Sequence, residues 1–260
     1  MRHVPPHIRR EAVTLLDSGP SFHEVSRRTN INRSTLRTWS QHRELIDKYE
    51  NKGACVRCEP LPRLPDPQPA YSYLLGLYLG DGYISYVGNR TKQLWALRIY
   101  CSNTWPKLIK ECVGTLETVL PEHKIAVVDR VGCKEVPARW KHCPCLFPQH
   151  GPGPKHTRRI ELAPWQAEVV GRHPEEFVRG LLHSDGCRIA NRVKRTAAGA
   201  DTWYEYPRYF FSNASRDIHG LLGRYLDQLG IEWRMSNASN LSVAKRGSVA
   251  RLDGFVGPKH

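Results

Sequence analysis

Two short runs of the chain, residues 74–82 and 178–186, share one pattern of apolar positions around a central glycine. Glycine inside a helix costs roughly 1 kcal/mol relative to alanine, so its presence indicates a close approach to the backbone. Small residues recur four positions apart in both runs, which places them on one helix face. They are Gly76 and Gly80 in the first run and Gly180 and Ser184 in the second. The pattern predicts two helices packed backbone to backbone.

Each run ends in Asp-Gly, so the two predicted helices carry a carboxylate at the same end. If the helices lie side by side, Asp81 and Asp185 meet at one place, and the glycines that follow suit helix C-terminal positions. Carboxylate oxygens are the ligands that a hard divalent cation prefers. The alternative is that both residues only end and cap their helices. Two separate Asp-Gly ends in one basic chain favour the metal site.

These runs resemble the motifs of the LAGLIDADG family of homing endonucleases. Gly76 and Gly180 stand at the first glycine of the family pattern, and both runs keep its final Asp-Gly. The first aspartate of the pattern is replaced by Leu79 and His183, at a position that is not the catalytic one. Two copies in one chain are similar to the single-chain, pseudo-symmetric form of the family. The resemblance covers about residues 70–256.

The resemblance implies an α+β fold in which a pseudo-twofold αββαββα repeat follows an all-α helix-turn-helix domain. The first repeat is assigned to residues 71–171 and the second to residues 172–260. Strands are predicted at 83–87, 94–101, 125–131 and 158–162 in the first repeat, and at 187–195, 206–212, 231–236 and 241–245 in the second. A His- and Cys-rich insert, residues 140–156, then separates the third and fourth strands of the first repeat.

Apolar residues recur at helical spacing in residues 1–50, and this pattern is interrupted twice. It predicts a unit of three helices. Ser21 and Glu24 form a capping box for the second helix, and Asn30 marks the turn before the third. The exposed face of the third helix combines basic and hydroxyl side chains: Arg33, Ser34, Thr35 and Arg37. The unit resembles the helix-turn-helix of transposases and bacterial regulators, whose last helix enters the major groove of DNA. The alternative is a small three-helix domain with a solvated polar face.

Residues 51–70 form a proline-rich linker that contains the pair Cys55 and Cys58, which is half of a tetrahedral zinc site. The insert offers further ligands, and a loop of its length and apolarity needs something to hold it. The candidates are His142, Cys143, Cys145, His150 and His156. One zinc ligand set is local and uses His142, Cys145, His150 and His156, whereas the other joins the linker cysteines to two insert residues. The alternative is that these histidines contact DNA phosphates or solvate the loop.

The formal net charge of +14, with a pI near 9.6, favours a polyanionic partner, which the resemblance specifies as double-stranded DNA. Basic residues occupy matching positions in the two repeats: Arg90 with Lys194, and Arg98 with Arg208. Strand alternation also places Arg188, Arg192 and Lys194 on one face. Since no acid occurs between residues 186 and 199, we expect this cationic face to meet DNA while helices cover the other.

The resemblance implies that Mg²⁺ (or Mn²⁺) is held by Asp81 and Asp185, with Gly80 and Ser184 beside them. Lys245 fits the basic residue with which the family supports the metal-bound water. Ala163 stands at the matching position of the first repeat, which puts equal cleavage of the two strands in doubt. Arg159 and Gln166 are the candidates for compensating that loss.

The leading hypothesis is a site-specific double-strand DNA endonuclease, with the helix-turn-helix adding affinity or target choice. A second hypothesis is a non-cleaving transcriptional regulator that reuses the fold. This chain resembles the actinobacterial sporulation regulators in joining the fold to a helix-turn-helix, although there the order is reversed and the catalytic acids are lost. A third hypothesis is an RNA-splicing maturase.

No apolar run approaches the roughly 20 residues that span a bilayer, and the first residues lack the apolar core of a secretory signal. We therefore expect a cytoplasmic, nucleoid-associated protein with no membrane partner. Eight cysteines in that compartment indicate metal ligands or buried thiols before disulfides. The internal pseudo-symmetry predicts a monomer.

Overall fold

The computed structural model describes residues 6–43, 65–88, 94–121, 123–197, 200–257 and 259. The chain divides into two compact units, Met1–Arg63 and Leu64–His260. Three residues with predicted roles, Cys55, Cys58 and Arg90, lie outside the described residues. In the part of the chain that is described, no helix is long and apolar enough to cross a membrane.

The first unit contains the three helices that the spacing predicts. They are α1 (Pro6–Asp17), α2 (Phe22–Thr29) and α3 (Arg33–Gln41). The hydroxyl of Ser21 accepts a hydrogen bond from the backbone N–H of Glu24, which caps α2, and Asn30 takes a left-handed conformation in the turn that follows. The small core between the helices consists of Ala12, Val13, Val25, Ile31, Leu36 and Trp39.

The second unit repeats one arrangement of helices and strands. Its first half contains α4 (Gln68–Asp81), β1 (Gly82–Tyr86), β2 (Trp95–Ser102), α5 (Pro106–Val119), β3 (Val128–Arg130), β4 (Cys133–Trp140), the short α6 (Cys143–Leu146), a 3₁₀ turn (Lys155–Thr157) and α7 (Pro164–Arg172). Its second half contains α8 (Pro174–Asp185), β5 (Gly186–Ala197), β6 (Ala200–Ser212), α9 (Arg216–Gln228), β7 (Arg234–Asn237), β8 (Asn240–Val243) and α10 (Arg246–Phe255).

Each half forms a four-stranded antiparallel sheet, with strand orders β1-β2-β4-β3 and β5-β6-β8-β7. The apolar inner face of each sheet is covered by helices, and one continuous core joins the two halves. In both halves the strand that follows the Asp-Gly helix begins directly at its glycine and pairs with the next strand, with Gly82 opposite Ile99 and Gly186 opposite Phe211. The fold is therefore α+β, as predicted.

The fourth strand of the first half differs from the prediction. Residues 158–162 are not a strand, and β4 is instead Cys133–Trp140, paired along its length with β2. Pro137 hid this strand in the sequence, because proline is rarely found inside a sheet. It is tolerated because β3 pairs only with Cys133, Lys134 and Glu135, so that side of β4 is open at Pro137. The insert consequently follows β4 and leads into α7.

Apolar packing and amide hydrogen bonds hold this insert. Phe147 is buried, with its ring centroid 4.6 Å from that of Tyr78 and 6.0 Å from that of Tyr71. The side-chain amide of Gln149 donates to the side-chain oxygen of Gln166 and to the carbonyl of Glu161. These contacts hold the insert in place, which is the role that the sequence suggested for zinc.

Candidate active site

The helices α4 and α8 pack backbone to backbone through their small residues. A β-carbon added at Gly76 would lie 2.5 Å from the carbonyl oxygen of Phe177, and one added at Gly180 would lie 2.2 Å from that of Tyr73. One turn further, a β-carbon at Gly80 would lie 2.0 Å from the hydroxyl oxygen of Ser184. Only glycine permits this approach, which the four-residue spacing predicts.

The approach carries Asp81 and Asp185 to one place, because they are the last residues of α4 and α8. The glycines that follow do not adopt the left-handed conformation common after helices, since Gly82 has φ −89° and Gly186 has φ −92°. Glycine is required there because the chain turns straight from helix into strand. A β-carbon at Gly82 would lie 2.4 Å from the α-carbon of Tyr78.

Both carboxylates are half-buried and electrostatically coupled. Burial and the negative charge of Asp185 raise the pKa of Asp81 to about 6, against the opposing effect of two lysines. Burial also raises the pKa of Asp185, although a hydrogen bond from the Asn213 side chain acts in the opposite direction. Two neighbouring carboxyl groups with raised pKa values favour the binding of a cation.

Two lysines that were not predicted from the sequence lie against the helix ends. The ammonium of Lys155 donates to the carbonyl oxygens of Tyr78, Gly80 and Gly82, at 2.6, 2.7 and 2.9 Å. The ammonium of Lys259 donates to the carbonyl oxygens of Ser184, at 2.9 Å, and Gly186. Burial lowers the pKa of both, that of Lys155 to about 8, while the aspartates oppose the shift.

These lysines come from matching segments of their halves. Both lie in a Gly-Pro-Lys-His run, residues 153–156 and 257–260, and the two runs are 104 residues apart, as Asp81 and Asp185 are. Lys155 belongs to the insert before α7, and Lys259 follows α10. Among the aspartates, the one with the larger effect on each lysine's pKa belongs to the opposite half: Asp185 for Lys155 and Asp81 for Lys259. Their equal spacing from the helix ends is a second signal in the sequence, since Lys155 lies 75 residues after Gly80 and Lys259 lies 75 residues after Ser184.

Lys245, the lysine expected at the site, is placed elsewhere. It is the N-cap residue of α10, and its exposed ammonium forms an ion pair with Glu232. The two residues considered as substitutes in the first half also have other partners. Arg159 pairs with Glu161 on the surface, and Gln166 is buried, where its side-chain amide donates to the Tyr71 hydroxyl at 2.7 Å.

The second half has a hydrogen-bonded support for its aspartate. The side-chain amide of Asn213 donates to a carboxylate oxygen of Asp185 at 2.6 Å. Its amide oxygen accepts from the backbone N–H of Ser215, and its carbonyl is 2.8 Å from a ring nitrogen of His219. The matching Asn103 uses its backbone N–H to reach Gly132. Among the described residues, Asp81 has no equivalent amide donor, so the halves differ.

His183, which stands at the family's first aspartate, is a buried core residue. Its Nε2–H donates to the carbonyl of Val256 at 2.7 Å, and its Nδ1 accepts from the Tyr73 hydroxyl at 2.8 Å. Burial and the charge of Arg179 lower the pKa of His183 to about 4. The imidazole is therefore neutral near pH 7 and ties α8 to α4 and to the end of α10.

The matched arginines Arg98 and Arg208 lie on the outer faces of the two sheets. Arg98 donates to the Ser85 hydroxyl at 3.1 Å and pairs with the buried carboxylate of Glu135, which also binds Arg130. Arg208 donates to the Ser242 hydroxyl at 2.6 Å.

Arg188 lies on the opposite side of its sheet from the one expected. It pairs in register with the buried Tyr209 and binds Asp253 of α10 through two hydrogen bonds, at 2.7 and 2.9 Å. The alternation along β5 is as predicted. However, Tyr209 and Phe211, which share the face of Arg188, are buried, so this face of the sheet is the one that the helices cover. The expectation that this face of the whole strand meets DNA is therefore wrong for Arg188.

Beyond the helices, β5 and β6 continue as a two-stranded ribbon, because β8 pairs only with residues 209–212 of β6. Arg192 lies 4.6 Å from the ring centroid of Trp203, and Lys194 pairs with Asp201 at 2.6 Å. Trp203 and Tyr204 are about half exposed, at 52% and 50%. The ribbon offers cations and aromatic surfaces, and β6 adds the acids that β5 lacks.

The local zinc ligand set is not assembled. Across the described residues, no three His, Cys, Asp or Glu side chains are placed to hold a metal ion. The Sγ atom of Cys145 is 4.0 Å from Nδ1 of His142, but His150 packs against Trp95. Cys143 is buried, which raises the pKa of its thiol to about 11, and His156 is exposed. The set that uses Cys55 and Cys58 stays a prediction.

In the first unit, α3 presents its polar face to solvent. Arg33, Ser34 and Arg37 are exposed and Thr35 is half-buried, while Leu36 and Trp39 point into the core. The separation of faces is the one that the spacing predicts.

The structure is similar to known LAGLIDADG proteins at low sequence identity. A mesophilic variant of the homing endonuclease I-DmoI is 16% identical, with 73% of this chain and 96% of that chain covered and a TM-score of 0.50. I-DmoI in complex with DNA and Ca is 20% identical over 74% of this chain and 91% of that chain, with a TM-score of 0.48. The N-terminal LAGLIDADG domain of DUF199/WhiA is 10% identical over 81% and 90%, with a TM-score of 0.46.

No protein-family model and no curated protein sequence matches the chain. The similarity to the I-DmoI variant shows that this α+β structure matches the LAGLIDADG fold. At 16% identity it shows the fold alone.

The coupled aspartates predict a pH-dependent stability. The pKa of Asp81 is raised in the folded state, so protonation of this residue stabilises the fold. This contribution to the free energy of unfolding is complete below about pH 4 and is lost as pH rises through about 6. His183 opposes this trend, because its lowered pKa favours folding as pH rises. Asp81→Asn isolates the first effect: without divalent metal, its melting temperature should exceed wild type by a gap that widens from pH 4.5 to pH 7.

The gap should reach several degrees, which corresponds to up to about 3 kcal/mol for a pKa shift of roughly two units. Thermal melts at a series of pH values in EDTA measure it. A gap that stays constant across this range would show that the Asp81 carboxylate is not under electrostatic strain.

Proposed function

We propose that the protein binds double-stranded DNA and hydrolyses a phosphodiester in each strand with divalent metal at Asp81 and Asp185. The observation that carries the proposal is the meeting of these two carboxylates at the ends of α4 and α8. A fold built only for stability gains nothing from two coupled acids at its central helix contact. The glycines that allow the contact are required only if the helix ends must meet.

The residues present fit a hard divalent cation. Asp81 and Asp185 supply carboxylate oxygens, the donor type of Mg²⁺ and Mn²⁺ sites, and burial together with the charge of Asp185 raises the pKa of Asp81. When bound, the metal would supply an activated water and stabilise the leaving oxygen. Asn213 orients the Asp185 carboxylate, whereas Lys155 and Lys259 place positive charge beside both acids.

The DNA would lie along the outer faces of the two sheets, on the strands that start at the Asp-Gly ends. These faces carry Arg98 and Arg208. Arg192 and Lys194 have the parity of Arg188, and they would contact DNA from the ribbon, where β5 and β6 continue beyond the helices. The net charge of +14 supports a polyanionic partner. In the first unit, the exposed Arg33 and Arg37 of α3 give a second contact suited to a major groove. Because both halves belong to one chain, the protein acts as a monomer.

The ribbon provides a direct test of this interface. Arg192→Gln with Lys194→Gln should weaken binding to duplex DNA and lower the slope of log affinity against log salt by about 1 to 2, since each phosphate that is no longer neutralised contributes roughly one. Arg188→Gln is the matched control, because Asp253 already binds this arginine on the helix side. It should reduce stability and leave the salt slope unchanged. Equal slopes for wild type and the double variant would exclude the ribbon from the interface.

One observation favours a second function, a non-cleaving DNA-binding regulator. The carbonyl oxygens of Gly80 and Ser184, next to the aspartates, already accept hydrogen bonds from lysine ammonium groups. Two aspartates and two lysines balance one another without any metal. A regulator would use this centre only to hold the two halves together.

The two functions separate in one experiment on the full chain. Random duplexes are selected for binding in Ca²⁺, and the selected duplex is then incubated with Mg²⁺ or Mn²⁺. An endonuclease cuts the selected duplex when the metal is changed. Tight binding without cutting in either metal would support the regulator and contradict the nuclease.

A further inference from the structure

The two faces of the ribbon that β5 and β6 form differ in chemistry. Ile189 pairs in register with Arg208, which lies on the outer face of the sheet, so Ile189 shares that face. Alternation along the strands adds Asn191 and Val193, with Tyr204 opposite Val193. Ile189, Val193 and Tyr204 are 39%, 43% and 50% exposed. We define these four residues, Ile189, Asn191, Val193 and Tyr204, as the outer strip.

The acidic residues of the ribbon all lie on its other face. β5 contains none, and the two in β6, Asp201 and Glu205, pair in register with Thr196 and Arg192. Both partners lie an even number of positions from Arg188, so they share its face. Along the described residues of the two strands, the outer face therefore carries no negative charge. This separation is expected if the outer face meets a polyanion and the other face does not.

The outer strip continues the face that begins at the proposed metal centre. β5 starts at Gly186, directly after Asp185, and Ile189 and Val193 lie three and seven residues further along. At about 3.4 Å per strand residue, they are roughly 10 and 24 Å from Gly186. Since B-DNA rises about 3.4 Å per base pair, the strip faces positions roughly three to seven base pairs from the cut. A two-stranded ribbon fits the major groove, where it meets base edges.

We propose that the outer strip recognises A·T base pairs in the major groove of the DNA segment bound by the second half. This inference rests on the proposed function, because it takes duplex DNA as the partner. Ile189 and Val193 pack against the C5-methyl group of thymine, an apolar group that G·C pairs lack in this groove. The side-chain amide of Asn191 matches N6 and N7 of adenine, with which asparagine forms two hydrogen bonds.

Two other roles of the outer strip would leave DNA recognition unchanged. β-Branched residues suit strands, so Ile189 and Val193 would in one case only stabilise the ribbon. In the other case the exposed apolar surface would bind another protein, including a second copy of this chain. Neither role makes DNA affinity depend on a methyl group of the DNA.

Replacing thymine by uracil tests the inference without any change in the protein, because it removes the methyl group and keeps the base pair. Selection in Ca²⁺ with the full chain should enrich A·T pairs about three to seven base pairs from the centre on one side of the site. Uracil at those thymines should weaken binding by about fourfold per methyl group, the factor for one buried methylene. G·C pairs throughout these positions, or equal affinity for the thymine and uracil duplexes, would overturn the inference.

A double variant connects this effect to the outer strip. Ile189→Thr with Val193→Thr keeps both side chains β-branched and replaces an apolar branch by a hydroxyl, so the variant should bind the thymine and uracil duplexes equally. Trp203→Phe, an exposed aromatic on the other face against Arg192, is the matched control and should discriminate as wild type does. Wild-type discrimination by the double variant would contradict the inference. If only its oligomeric state changed in sedimentation, the strip would be a protein-binding surface.

The results also separate this inference from the proposed function. If the selected duplex is bound and cut but its affinity does not depend on the thymine methyl groups, the endonuclease stands and the role of the strip fails. Binding that depends on these methyl groups, without cutting in Mg²⁺ or Mn²⁺, would support the strip and contradict the nuclease. If the full chain selects no duplex at all, the proposed function and this inference fail together.

Discussion

Gly76→Ala and Gly180→Ala should each destabilise the second unit by roughly 3 kcal/mol or more, the upper end for overpacking a core. The new β-carbon at Gly180 would lie 2.2 Å from the carbonyl oxygen of Tyr73, and the one at Gly76 would lie 2.5 Å from that of Phe177. Both obstacles are backbone atoms of the facing helix, so no side chain can rotate away. The helices must separate, and the Asp81–Asp185 pair separates with them.

Chemical denaturation measures this loss of stability, and Gly114→Ala is the matched control. Gly114 lies inside α5, and an added β-carbon there meets nothing within 4 Å. That substitution should be neutral or stabilise the protein by up to about 1 kcal/mol, because alanine is the better helix former. Three variants of similar stability would show that α4 and α8 are not in backbone contact.

Asp81→Asn combined with Asp185→Asn should lower cleavage of the selected duplex by about a thousandfold or more, while its affinity for that duplex stays within a few-fold of wild type. Asparagine keeps the size of the side chain and removes the negative charge that would hold the metal. Each single variant should also lose activity, because both carboxylates border one centre.

Cleavage is followed on the selected duplex in Mg²⁺, and binding is measured by titration in Ca²⁺. Asp129→Asn, which changes an exposed carboxylate paired with Lys134, should cleave as wild type does. Cleavage that survives in the double variant would locate the chemistry elsewhere. Weaker DNA binding in proportion to the decrease in cleavage would indicate a structural role for the pair.

The central helix contact could be predicted from the sequence because its cause is local and periodic. Gly76 and Gly80 are four residues apart, and Gly180 and Ser184 repeat that spacing, so the pattern alone identifies the face. The capping of α2 by Ser21 was predictable for the same reason, since all of its determinants lie within four residues.

Features that depend on distant partners were not predictable in this way. Which face of β5 is covered by helices depends on the burial of Tyr209 and Phe211 in the neighbouring strand, so Arg188 was assigned to the wrong face. The strand β4 was missed because its proline is acceptable only where β3 stops. The insert suggested zinc because its histidines and cysteines are visible, whereas its anchor, Phe147 against Tyr78, is a tertiary contact.

The lysines of the site illustrate the same limit. Lys245 was chosen because it precedes the last helix, where the family places a basic residue. Lys155 and Lys259 instead lie in two copies of Gly-Pro-Lys-His, residues 153–156 and 257–260, which are 104 residues apart as Asp81 and Asp185 are. This repeat was visible in the sequence, but only the three-dimensional structure shows that both lysines contact the helix ends.

Asp81 and Asp185 are proposed to form one metal centre on the DNA-binding face. The most direct test is a crystal structure of the full chain with its selected duplex in Mn²⁺, with data that record the anomalous signal of manganese. We expect an anomalous peak bonded to carboxylate oxygens of both Asp81 and Asp185 and next to a phosphate of the bound duplex. A bound duplex with no anomalous peak at these carboxylates in saturating Mn²⁺ would contradict the proposal.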